Sequence, residues 1–286
     1  MAKAQNRREL IEQVIDICST AGRAILDVYH SSADLEIDTK SDDSPVTAAD
    51  LAAHNILAPA LAQLTPGVPV LSEEQAMPPF SERRRWRRYW IVDPLDGTKE
   101  FIRRSGEFTV NVALIEDGVP VLGVVHVPVL EITYAGHRAA PGTEALAFKR
   151  TAGGENPIRV RSVQSRLDVQ SPLGLVASRN HGAGAVDRLV ARIEQQLGAT
   201  ELKNMGSSLK LCLVAEGAAD LYPRLAPTCE WDTAAAQAVV EAAGGLVVDD
   251  QFAPLRYNTK DSVLNPSFYV IGDPSFDWRA LLADCS

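Results

Sequence analysis

The sequence predicts a mixed α/β (α+β) fold of layered sheets and helices, and excludes an all-parallel Rossmann sheet. Three observations carry that reading. Helical periodicity runs through residues 10–64, and alternating apolar strands fill residues 68–134 with no helix between most of them. Beyond about residue 170, strands and helices take turns.

Leu10, Val14, Cys18, Ala21, Ile25 and Val28 recur at helical spacing and predict a long amphipathic helix. The run Lys40-Ser-Asp-Asp-Ser-Pro-Val46 is too polar and turn-prone for core. Thr47-Ala-Ala-Asp50 has the form of a capping box, with Leu51, Ile56, Leu57, Leu61 and Leu64 behind it and Pro66-Gly67 as the stop. Val68-Pro-Val-Leu-Ser72 is a short strand ending at Glu73-Glu74. Arg83, Arg84, Arg85, Arg87 and Arg88 surround Trp86 in a loop that reads as solvated surface. Tyr89-Trp-Ile-Val92 is a buried strand ending at Asp93, with Pro94 as its stop. Phe108, Val110, Val112 and Leu114 alternate, Glu116-Asp-Gly118 turns the chain, and Val121–Val125 and Ile132–Tyr134 continue an antiparallel meander.

Residues around 150–170 are polar and poorly patterned, so the chain divides into an α+β half over 1–160 and an α/β half over 161–286. The second half holds a strand at Leu173–Ala177 and helices at Val186–Leu197, Leu209–Ala215 and about Thr233–Ala243. Gly244-Gly245 stops the last of these before the strand Leu246–Val248.

At 286 residues and 46% hydrophobic, the chain can bury a substantial core. Its net charge of −9 lacks the basic footprint of a protein that binds nucleic acid polymers. An anionic small substrate would need local cations. Cys18, Cys212, Cys229 and Cys285 are scattered, which argues against a disulfide framework or a zinc site and suits the cytoplasm. No stretch has the length of a membrane span, and the N-terminus lacks the apolar core of a signal peptide.

The chemistry concentrates in Trp90-Ile-Val-Asp-Pro-Leu-Asp-Gly-Thr-Lys-Glu-Phe101. Asp93 and Asp96 with the carbonyl between them form an oxygen-rich cup suited to a hard cation such as Mg²⁺. Gly97 permits a tight turn, and Thr98 opens the next helix. Taken singly, each acidic motif has a plainer reading. Asp-Pro-Leu-Asp-Gly makes a turn, Glu73-Glu74 a solvated strand end, and Asp232-Thr233 a helix cap. Together, three acidic motifs at element ends point to a multi-metal phosphatase site.

On Ser72-Glu-Glu74, Asp93-Pro-Leu-Asp-Gly-Thr98 and Trp231-Asp-Thr-Ala-Ala235, the chain resembles the inositol monophosphatase superfamily of lithium-sensitive, magnesium-dependent phosphatases. The resemblance covers nearly the whole length and is strongest to the 3′(2′),5′-bisphosphate nucleotidase branch of bacterial sulfur assimilation. It implies a layered α/β/α/β/α fold. It also implies two or three Mg²⁺ ions held by Glu73, Asp93, Asp96, Asp232 and the Leu95 carbonyl. By the same resemblance Asp50 and Thr98 position and deprotonate the attacking water, while Glu74 is an outer-sphere group or a competing base. Substrate contacts fall on Glu73, Leu95, Asp96, Gly97, Thr98 and Asp232, joined by His181, Ser207, Lys210 and Arg224. Relatives of this kind can sit peripherally on the cytoplasmic face of the inner membrane.

A helix N-terminus with Lys210 and Arg224 suits a second phosphate that is held but not hydrolysed. Lys99-Glu100 also resembles the nucleotidase branch more than the inositol branch. The implied substrate is therefore the small phosphorylated nucleotide adenosine 3′,5′-bisphosphate, yielding AMP, with its sulfated precursor as a second substrate. Inositol monophosphate and fructose 1,6-bisphosphate are the rival substrates. A non-catalytic nucleotide sensor is opposed by the presence of all five carboxylates and Thr98. An NTP-binding module lacks its G-x-x-x-x-G-K-[ST] motif.

Overall fold

The computed structural model describes residues 7–31, 37–39, 45–140, 143–177 and 183–282. Its five layers alternate helix and sheet. The outermost layer is α1 (Arg7–Tyr29) with α2 (Ala48–Leu64), beside the small hairpin β1 (Ile37–Thr39) and β2 (Pro45–Thr47). The predicted apolar stripe of α1 is the one buried: Leu10, Val14, Cys18, Ala21 and Ile25 are at or near zero exposure.

The second layer is a seven-stranded sheet in chain order. Its strands are β3 (Val70–Ser72), β4 (Arg88–Asp96), β5 (Thr109–Glu116), β6 (Val119–Val127), β7 (Ile132–His137), β8 (Leu146–Thr151) and β9 (Gly154–Pro157). Short helix α3 (Phe80–Arg83) precedes β4, and α4 (Thr98–Ile102) separates β4 from β5. All neighbours pair antiparallel except β3 and β4. The β5–β6 turn has Asp117 and Gly118 both at positive φ, the geometry that Asp-Gly favours in a hairpin. Both faces of this sheet are covered, so β4 to β6 are nearly continuous apolar runs. Trp90, Val92, Val112 and Leu122 pack under α1 and α2, while Tyr89, Ile91, Ala113 and Val125 face the opposite way. Each large side chain so buried contributes roughly 1.5–3 kcal/mol.

Between the two sheets lie α7 (Leu209–Ala215) and α8 (Glu230–Ala242). The approach of α8 is close enough that a Cβ on Gly123 of β6 would stand 2.1 Å from the Ala235 carbonyl oxygen. The fourth layer is a five-stranded sheet of order β11-β10-β12-β14-β13. Its strands are β10 (Leu173–Ala177), β11 (Thr200–Asn204), β12 (Leu221–Arg224), β13 (Leu246–Asp249) and β14 (Phe268–Ile271). Helices α5 (Val163–Asp168), α6 (Ala183–Leu197) and α9 (Trp278–Leu282) close the far side over Leu175, Leu221 and Ile271.

Four local expectations change. Strand β4 does not stop at Pro94 but runs on to Asp96 through a register irregularity, where the Leu95 N–H turns to the Asp93 carboxylate. The stretch after residue 150 is not unpatterned, because β8 and β9 form a hairpin and α5 follows. Helix α8 begins at Glu230, three residues before the expected Thr233. Arg83 is fully buried rather than solvated. Its guanidinium donates to Asn258 Oδ1 (2.5 Å) and to the carbonyls of Lys260 and Asp261, while Arg84, Arg85, Arg87 and Arg88 remain exposed. No described helix is long and apolar enough to cross a membrane.

Candidate active site

The site forms where the end of β4, the start of α2, the loop before α7 and the start of α8 meet. The end of β4 brings Asp93 and Asp96, α2 brings Asp50 and α8 brings Asp232, while the loop before α7 supplies a donor, and a backbone N–H pins one oxygen of each carboxylate. Asp50 is the third residue of α2, and its Oδ2 accepts from the Thr47 N–H (2.8 Å) and the Thr47 hydroxyl (2.6 Å), completing the expected capping box. Asp93 Oδ1 accepts from the Leu95 N–H at 3.0 Å. Asp96 Oδ2 accepts from the Ser208 N–H at 2.6 Å. Asp232 Oδ2 accepts from the Cys229 N–H at 2.9 Å in a second capping box, at the head of α8.

Asp93, Asp96 and Asp232 each bring an oxygen within 4.8 Å of the others. Asp93 is buried and the other two are half-buried. Such crowding is unfavourable without a cation. Burial raises the Asp93 carboxyl well above its usual range, with the fields of Glu73, Asp96 and Asp232 adding to it. Burial and Asp96 do the same to Asp232. Asp96 is pushed up to about 6, chiefly by burial, against the pull of Lys210 and the Ser208 N–H. Buried, mutually repelling oxygens of this kind fit a hard divalent cation.

Glu73 lies outside the tight group but beside it, because its N–H bonds to the Val92 carbonyl at 3.2 Å, next to Asp93. Leu95 sits in the irregular turn between the two aspartates. Gly97 caps α4 at φ 94°, and a Cβ there would stand 3.3 Å from the Glu107 carbonyl oxygen, so glycine is the residue that fits. The Thr98 hydroxyl donates to Asp50 Oδ1 at 3.3 Å. Asp50 thus holds its own helix with one oxygen and Thr98 with the other.

Beside the carboxylates opens a cavity of about 310 Å³, lined by Asp96, Asp232, Gly97, Ser207, Lys210 and Arg224 among others. Lys210 is buried, donates to the Met205 carbonyl (3.3 Å) and lies over the Tyr222 ring. Burial lowers its pKa to about 8 although Asp96 favours the charged form. Arg224 is held by the carbonyls of Ala226 and Pro227, at 3.1 Å each. Ser207 has φ 45° and a buried hydroxyl without a partner among the described residues. Of the expected site residues, His181 alone lies outside those described.

Sequence reasoning missed the polar floor under Asp96. The Ser208 hydroxyl donates to Asn111 Oδ1 (2.8 Å) and pairs with Thr109 (2.9 Å), joining β5 to the start of α7. The available signal was Thr109 and Asn111, two polar residues in a strand otherwise apolar up to Ile115. Tyr222, Lys99 and Arg103, which also line the cavity, gave no spacing signal of their own.

The inositol monophosphatase family model matches residues 6–272. A 3′(2′),5′-bisphosphate nucleotidase CysQ of Salmonella typhimurium is 49% identical over 261 residues, which are 91% of this chain and 99% of that protein. The solved CysQ of Bacteroides thetaiotaomicron, described as a bacterial member of the inositol monophosphatase family, superposes with a TM-score of 0.78 at 39% identity, covering 92% of this chain and 97% of that one. The IMPase of Thermotoga maritima, 20% identical over 97% of this chain and all of its own, shares the fold with a TM-score of 0.73. The chain belongs to the inositol monophosphatase family.

Proposed function

We propose that this chain is a magnesium-dependent phosphatase of sulfur assimilation that removes the 3′-phosphate of adenosine 3′,5′-bisphosphate, leaving AMP and inorganic phosphate. One observation carries the reading. Asp96 and Asp232, which with Asp93 make the acidic group, line the same cavity as Lys210 and Arg224. The carboxylates that would hold a cation for the reacting phosphate therefore adjoin fixed cations for a phosphate that is retained. The CysQ relatives, named for the bisphosphate nucleotidase activity, point to the same substrate. The sulfated precursor of that nucleotide is assigned as a second substrate.

Glu73, Asp93, Asp96, Asp232 and the Leu95 carbonyl are the residues that would hold Mg²⁺. When bound, the metal supplies the charge that admits a phosphate among carboxylates and makes water acidic enough to attack. The chain's own part begins with Thr98. Its Oγ1 takes a proton from the attacking water and passes its own to Asp50 Oδ1, so the hydroxyl is restored and the carboxylate becomes an acid. The water oxygen bonds to phosphorus as the bond to the ribose 3′-oxygen breaks. That oxygen leaves with the electron pair and takes a proton from solvent, and Asp50 returns its own proton to solvent. Lys210, Arg224 and the unpartnered Ser207 hydroxyl meanwhile grip the second phosphate.

Lys210→Ala or Arg224→Ala should raise KM for the bisphosphate about tenfold or more, as expected for losing a charge-assisted bond. A KM unchanged from the parent in steady-state phosphate release would remove the second-phosphate subsite.

A further inference from the structure

The cavity has a second pair of cations, on the wall made by α4. Lys99 and Arg103 both line it. They lie one turn apart, because the Arg103 N–H donates to the Lys99 carbonyl at 3.0 Å. Both side chains are exposed, and neither has a hydrogen bond or an acid partner among the described residues. Of the exposed arginines in the loop before β4, Arg87 pairs with Asp117 and Arg88 with Glu116, while Arg84 and Arg85 lie away from the cavity. Helix α4 begins with Thr98 and is capped at its C-terminus by Arg103, so one short helix and its cap carry the hydroxyl bonded to Asp50 and both charges.

Donor capacity favours a role for them. Lys210 gives one of its donors to the Met205 carbonyl, and Arg224 commits Nε and one Nη to backbone oxygens. That leaves two donors on Lys210 and three on Arg224 to share among three phosphate oxygens, whereas Lys99 and Arg103 keep three and about five donors. Glu100 lies between them in sequence but turns toward Gly97 and Gly206, where it faces Lys210. Glu100 also lines the cavity, and its charge acts on both Lys210 and Asp96.

We infer that Lys99 and Arg103 are specificity-determining residues. Together they form the outer half of the cradle for the substrate's non-reacting phosphate, completing the floor made by Lys210 and Arg224. This rests on the bisphosphate reading above. It predicts that α4 discriminates a 3′,5′-bisphosphate from the same nucleoside carrying only the 3′-phosphate.

The test compares kcat/KM for adenosine 3′,5′-bisphosphate and adenosine 3′-monophosphate in the full chain with saturating Mg²⁺. In Lys99→Gln and in Arg103→Gln the ratio of the two should fall about tenfold, and in the double variant about a hundredfold. Arg103→Lys should recover most of it. Arg85→Gln, which removes one exposed charge away from the cavity, should leave the ratio as it is. A double variant whose ratio stays within about twofold of the parent overturns the proposal, and so does an equal fall in Arg85→Gln, which would indicate only a long-range field. Failure of the underlying reading shows separately, as a parent enzyme that does not prefer the bisphosphate at all.

Discussion

Each aspartate at the centre of this site is anchored by one backbone N–H. Among the described residues, the second oxygens of Asp93, Asp96 and Asp232 receive no protein donor. That division of labour fixes the geometry before any ligand arrives. It also has a stability cost, because three carboxylates are gathered where burial and mutual repulsion oppose ionisation. Asp93→Asn should therefore abolish phosphate release and raise the melting temperature measured in EDTA. A variant that melts lower than the parent in EDTA would mean that the Asp93 charge is stabilising. Thr98 offers a cleaner test of proton transfer. Thr98→Ser keeps the hydroxyl and should retain kcat within about tenfold, while Thr98→Val should lose about 10²–10⁴-fold. Equal losses in both would take the hydroxyl out of the proton path. The Thr98–Asp50 pair could be assigned from sequence only by resemblance, since residues 48 apart show no spacing signal. The Thr47–Asp50 capping box, three residues apart, was legible from local chemistry alone.

At the scale of elements, the site depends on how helices seat on the large sheet. Helix α8 delivers Asp232 and lies against β6 at Gly123, where any side chain would meet the Ala235 carbonyl. Gly123→Ala should cost about 1–3 kcal/mol in urea unfolding and raise the Mg²⁺ concentration needed for half-maximal activity, because α8 must lift. Unchanged stability would mean that the helix has room to shift. Helices α1, α6 and α7 and the β5–β6 hairpin were readable from period and turn chemistry, each being locally determined. Arg83 was not. An arginine among four others reads as surface, yet its environment is set by Asn258 and the carbonyls at 260 and 261, far away in sequence. Through Asn258, whose N–H bonds to Glu230 at the first turn of α8, that clasp reaches the helix bearing Asp232. Strand β4 passing through Pro94 was hidden for a similar reason, because its partner Thr109 holds the register beyond the irregularity.

For the whole molecule, the two sheets and the helices between them bring an acidic group and a cationic floor into one cavity, within a chain of net charge −9. The metal-free protein should show the consequence in its pH dependence. Carboxyls with raised folded pKa values bind more protons than they do unfolded, between about pH 4 and the raised value. Their contribution to stability therefore falls as pH rises through that window. His126 acts in the opposite sense, since burial lowers its pKa to about 4 and its contribution grows as pH rises toward the unfolded value. Taking the melting difference between Asp93→Asn and the parent cancels His126. In EDTA that difference should widen from pH 5 to 7.5, and saturating Mg²⁺ should reverse its sign. A difference flat with pH in EDTA would contradict the cluster's raised carboxyls. The most direct test of the central claim is phosphate release from adenosine 3′,5′-bisphosphate and from inositol 1-phosphate, measured side by side with and without Mg²⁺. The predicted result is Mg²⁺-dependent turnover with strong preference for the bisphosphate; preference for the inositol ester, or release that persists without metal, would contradict it.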